Sequence, residues 1–107
     1  MRTYTFEVND KQYTIKFDYN AICDIEELSG KGIMQLLENP SLNTIRFVLW
    51  GGLKWKNQGL TKQQVGFIIN DLTSENKYKE VAENLFKCLE YALKQMNGES
   101  GEETVGE

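Results

Sequence analysis

The residues able to do chemistry in this chain are few, and their spacing argues against a catalytic centre. Asp24, Glu26 and Glu27 form a short acidic run, the residue type that binds a metal or shuttles protons when paired. A helix would spread these three around its circumference, and no His, Gly-rich loop or carboxylate from another helix joins them in sequence. The run reads as a solvated face, with a partner-binding acidic surface as the sharper alternative. Cys23 and Cys88 both fall at apolar helix positions far apart in the chain. They read as two reduced core thiols, because a buried free Cys behaves as a small hydrophobe; a disulfide or a metal site is the other reading. The chain has no His at all, which removes the commonest general base and metal ligand. Gly51-Gly52 has neither P-loop nor dinucleotide-binding spacing around it. No catalytic residue, metal or cofactor is therefore expected, and the chain reads as a non-enzyme.

Composition narrows the class further. At 107 residues with 40% hydrophobic content, the chain fits one folded domain with a single core. The net charge of −4 is unevenly placed. Residues 1 to 98 hold twelve acids and twelve bases, and the excess lies in Glu99, Glu102, Glu103 and Glu107. No Lys/Arg cluster suggests binding to a phosphate backbone, so nucleic acid is not an expected partner. No apolar run approaches the ~20 residues of a membrane span, and no signal segment opens the chain. A cytoplasmic protein is expected.

These residues need elements to position them. Residues 3 to 8 and 12 to 17 alternate with period two, placing Tyr4, Phe6 and Val8 on one face with Tyr13, Ile15 and Phe17. That pattern predicts a β-hairpin with one buried face. A two-residue turn at Asn9-Asp10 would pair Phe6 with Tyr13 and Thr5 with Thr14, while a four-residue loop would shift the pairs. Asp18 stands where an N-cap belongs, before a helix with Ile22, Cys23, Ile25 and Leu28 inward and Gly30 as its stop. Ile33 to Glu38 makes a short turn of helix, ended by Asn39-Pro40. Ser41 then caps a helix with Leu42, Ile45, Val48 and Leu49 inward. Thr61-Lys62-Gln63-Gln64 has capping-box spacing, ahead of Val65, Ile68, Ile69 and Leu72. The longest helix is expected from about Ser74 to Met96, with a stripe running from Tyr78 through Leu85 and Leu89 to Met96. The fold class is thus mainly α, an α+β arrangement of one N-terminal hairpin and a bundle of four to five helices. Residues 1–97 form the domain, and 98–107 a disordered acidic tail.

Three features invite a choice. Gly51-Gly52 interrupts a helical pattern at a cost of about 1 kcal/mol per Gly relative to Ala, so either the helix ends there or another backbone approaches closely. Phe47, Trp50, Leu53 and Trp55 make the same helix apolar over much of its circumference, so it is either central or part of an interface, with at least one Trp expected at an interface. The hairpin has two open edges, which either pack on the helices or recruit a second strand.

The order of these segments resembles a known family. F-D-Y-N-A-I-C-D-I-E-E-L from Phe17, I-R-F-V-L-W-G-G-L from Ile45 and L-T-K-Q-Q-V-G from Leu60, with the preceding hairpin, are similar to the tail assembly chaperones of long-tailed bacteriophages and prophages. The resemblance covers about two-thirds of the chain and rests on packing motifs. It implies a small, largely helical, non-enzymatic protein that binds the tape measure protein and keeps it soluble while the tail tube polymerises. It further implies self-association, the tail tube protein as a second candidate partner, and absence from the mature virion. Members are often also made in a longer, frameshifted form. One departure is Gly51-Gly52, where a small residue followed by Gly is expected. The alternative function is a small structural subunit of the tail or head-tail connector. The surface expected to hold the partner is Phe47, Trp50, Leu53 and Trp55, rimmed by Asp24, Glu26 and Glu27.

Overall fold

The computed structural model describes residues 2–98; the expected acidic tail beyond Gly98 lies outside them. Strands β1 (Thr3–Val8) and β2 (Lys11–Lys16) pair antiparallel, and five helices follow: α1 (Tyr19–Ser29), α2 (Ile33–Glu38), α3 (Leu42–Leu53), α4 (Lys62–Ser74) and α5 (Tyr78–Met96). The architecture is the expected hairpin-plus-bundle.

Local chemistry explains the boundaries. Asn9 and Asp10 both adopt positive φ, 53° and 63°, the requirement of a two-residue type I′ turn. The hairpin therefore takes the tighter of the two registers, with Phe6 opposite Tyr13 and Thr5 opposite Thr14. The Phe6 and Tyr13 rings stack at 5.5 Å, and the two Thr hydroxyls bond at 2.9 Å. The Asp18 carboxylate accepts from Ala21 N at 2.7 Å, and Gly30 closes α1 with φ 74°. Ser41 and Thr61 cap α3 and α4, each with a reciprocal bond from the third helical residue.

The boundary before α5 differs from expectation. Ser74 ends α4 rather than starting α5. Asn76 takes the left-handed conformation, φ 61°; its N–H donates to Thr73 O and the Lys77 N–H to Leu72 O. That is a Schellman closure with Asn in the place usually held by Gly.

Helix α3 is the centre of the molecule, packing against α1, α4, α5 and β2. Val48, Leu49 and Leu53 are fully buried there, with Ile15, Phe17, Ile25, Val65, Leu72, Leu85 and Leu89 around them. Helix α3 continues through Gly51-Gly52, and the close approach there is made by side chains rather than by the expected backbone. A Cβ on Gly51 would lie 2.4 Å from both Cγ1 and Cδ1 of Ile25, and one on Gly52 would lie 2.9 Å from Ile15 Cγ2 and 3.0 Å from Phe17 Cζ. One glycine thus receives α1 and the other receives the end of the hairpin.

Three expected core positions, Leu42, Cys23 and Leu28, are corrected. Leu42 is 81% exposed, on the outer side of the first turn of α3, and Thr44 takes the inward side of that turn, buried and bonded back to Ser41. Cys23 is exposed, lying on the outer side of α1 while Ala21, Ile22 and Ile25 turn inward. Leu28, at 38%, is also partly out. Cys88 is buried as expected, and burial raises its thiol pKa.

Two outcomes follow. Gly51→Ala should lower stability by about 1–3 kcal/mol in urea melts despite the gain in helix propensity, since Ile25 has no space to yield; equal or higher stability would disprove the close approach. A thiol reagent should label Cys23 rapidly in the native protein and Cys88 only on unfolding.

Candidate functional site

The aromatic residues expected to form one partner surface separate into two places. Phe47 and Trp50, three residues apart, share the α3 face that meets the start of α4. Trp50 is half-buried, and its indole Nε1 donates to Leu60 O at 2.8 Å, which fastens the loop before Thr61. Trp55 lies past the end of α3, and its Nε1 donates to Thr14 O on β2 at 3.0 Å. Leu53 has no accessible surface. It belongs to the core and is unavailable to a partner, because it occupies the inward side of α3 next to the glycine pair.

Each aromatic also carries an ammonium. Lys62 Nζ sits 5.5 Å from the Phe47 ring centre, Lys54 5.3 Å from Trp50 and Lys16 4.8 Å from Trp55. Such contacts contribute about 0.5–1 kcal/mol at exposed sites. They also cover ring faces that the residue pattern alone leaves open.

The acidic run is dispersed as well. Asp24 pairs with Lys54, tying α1 to the end of α3; both side chains are about one-third exposed, which keeps the pair near the ~0–1 kcal/mol of surface ion pairs. Glu26 accepts from Ile33 N at 2.7 Å and so organises the turn into α2. Glu27 remains on the surface. Two of the three carboxylates therefore have partners within the chain, which the residue pattern alone does not show. Among the described residues, no group of three or more His, Cys, Asp or Glu side chains could hold a metal ion.

The hairpin edges are guarded unequally. In this register Val8 and Lys11 close the turn, so Thr3, Thr5 and Glu7 point their backbone groups outward from β1, and Gln12, Thr14 and Lys16 do so from β2. Trp55 takes the Thr14 carbonyl, and Lys77 Nζ takes the Glu7 carbonyl at 2.8 Å. Glu75 accepts from Asn9 N at 2.9 Å and pairs with Lys77 at 3.1 Å. The stretch at Thr3 and Thr5 is the less guarded part of β1.

The surface most open to a ligand lies elsewhere, where α3, α4 and the start of α5 diverge. It is a shallow apolar groove of about 870 Å³, with Leu42, Ile45 and Arg46 on one side, Gly66 and Ile69 on the other, and Tyr78 at one end. Arg46 Nη2 donates to Asn43 Oδ1 at 2.7 Å. Its Nε is shut off from solvent without an acceptor, a state that costs about 1–3 kcal/mol for a buried donor. Leu42 signals the groove only in hindsight, since its helical spacing matches an inward stripe.

Protein-family models, characterised proteins and solved structures contain no match to this chain. Among the described residues, no helix is long and apolar enough to cross a membrane.

Two measurements test these contacts. Trp50→Phe and Trp55→Phe each keep a ring but lose a donor, so each should cost about 0.5–1.5 kcal/mol; no loss at either site would remove the indole bonds from the account. Lys77 and then Asn9 hold the Glu75 carboxyl below its ordinary value. A lowered folded pKa stabilises above the unfolded value, about 4.3, and that stability disappears as pH falls through the folded value. Glu75→Gln should therefore flatten the acid limb of the stability profile and leave the profile above pH 6 parallel to wild type.

Proposed function

We propose that this chain is a phage tail assembly chaperone, a binding protein without catalytic activity or cofactor that shelters the apolar helical faces of a tape measure protein until the tail tube covers them. The supporting observation is the open apolar groove between α3 and α4, on a small helical domain whose segment order resembles that family. Leu42, which lines the groove, is 81% exposed. Burial in a groove is the physical way to shield an amphipathic helix before its final partner arrives. On this reading the protein acts in the host cytoplasm and leaves before the virion is complete.

Self-association belongs to the same proposal. The β1 edge at Thr3 and Thr5 can accept a strand from a second copy, which would also cover the exposed backbone groups there.

Co-expression with the tape measure chain encoded beside it is the direct experiment. The tape measure chain should be soluble with this protein and aggregated without it, and purified virions should lack this protein. No change in solubility, together with persistence in virions, would favour a structural tail or connector subunit. Light scattering should show a species larger than the monomer at high concentration; a strict monomer would exclude the strand-pairing part.

A further inference from the structure

We propose that the groove between α3 and α4 binds a helix of a partner chain carrying an apolar stripe flanked by one Asp or Glu, with Gly66 admitting the helix backbone and Arg46 receiving the carboxylate. The assignment rests on the reading of the chain as a binder of apolar helices and names the site and the recognition chemistry.

Gly66 is the first argument. It sits inside α4, where Gly is less favourable than Ala, and no positive φ requires it. The other two helical glycines, Gly51 and Gly52, are filled by neighbouring side chains. A Cβ at Gly66 would meet only Arg46 Cδ, at 4.0 Å, so nothing within the described fold demands its absence. The missing side chain opens the wall of the groove. Helices approach to about 8–10 Å between axes, and the closer distances need small residues at the contact. A glycine facing an open apolar groove is suited to that approach.

Arg46 is the second argument and selects the chemistry. It is the one charged residue among those lining the groove. Its described hydrogen-bond partner is Asn43, a neutral oxygen that accepts from Nη2; Nε is shut off from solvent, so the η nitrogens are the ones that would meet the carboxylate. Guanidinium bonds to carboxylates are charge-assisted and directional, and their strength rises as water leaves the apolar surroundings. Leu42 and Ile69 would bury the stripe beside it. A groove with one cation on an apolar wall is complementary to an apolar helix with one flanking anion.

The experiment titrates the full chain with a fluorescent helical peptide of about 18 residues, with Leu at every third or fourth position on one face and one Glu flanking that stripe. A second peptide carries Gln in place of Glu. The wild type should bind the Glu peptide about tenfold tighter than the Gln peptide, and Arg46→Met should remove that preference. Leu42→Asp should weaken both peptides at least tenfold. Gly66→Leu should raise Tm or leave it unchanged while abolishing binding, which separates a blocked groove from a damaged fold. No binding to wild type, equal binding of the two peptides, or full binding by Gly66→Leu would each overturn the assignment. A wild type that keeps the tape measure chain soluble yet binds neither peptide overturns the groove assignment and leaves the chaperone reading standing. Binding that follows the expected pattern without any effect on the tape measure chain does the reverse.

Discussion

Two adjacent glycines in the middle of α3 hold this structure together by what they lack. Helix α3 packs against α1, α4, α5 and β2, and a helix with so many neighbours needs somewhere to let them in. Gly51 gives its missing side-chain space to Ile25 of α1, and Gly52 gives its own to Ile15 and Phe17 at the end of the hairpin. The helix gives up about 1 kcal/mol of propensity at each position, and the buried apolar side chains brought into contact offset it. Full burial of one such side chain contributes about 1.5–3 kcal/mol. The hairpin would be marginal as an isolated two-stranded unit, so its persistence depends on this docking.

The same docking determines what the aromatic residues do. With β2 held near the end of α3, Trp55 reaches the Thr14 carbonyl and Trp50 reaches the Leu60 carbonyl. Both indoles satisfy their polar ends within the chain, while lysines stand over their faces. The apolar surface left open lies on the far half of α3 and on α4, where Leu42, Ile69 and Gly66 have no such covering.

Most of the fold was legible in the sequence because the strongest signals were local. The hairpin alternation, the Asp18, Ser41 and Thr61 caps, the Gly30 stop and the Tyr78-to-Met96 stripe are properties of short segments, and tertiary packing reinforced each. The missed boundary at Asn76 was also local, a left-handed Asn that reads as an ordinary polar residue. The candidate site was less legible. Leu53 and Trp55 are two residues apart with similar hydrophobicity, yet one is core and the other half-exposed. Their difference depends on where β2 lies, and spacing along one helix carries no such information. Leu42 fits the apolar stripe of α3, but Thr44 holds the inward side of that first turn. Asp24 and Glu26 resembled a free acidic surface because their partners, Lys54 and the Ile33 amide, come from elsewhere in the chain.

The contact between the hairpin and α5 has a consequence for the order of events during synthesis. Helix α5 packs on both β1 and β2, and Tyr4 of β1 is partly buried against the core. The first strand and its covering helix are thus separated by most of the chain's length. At about 5–20 residues per second on a ribosome, Phe6 and Val8 emerge roughly 4–18 s before α5 is complete. In that interval the hairpin can already dock on α3, which packs on β2, and on α4, which packs on β1, while the face that α5 covers stays open. The α5 side of the hairpin is thus the last part of the core to close.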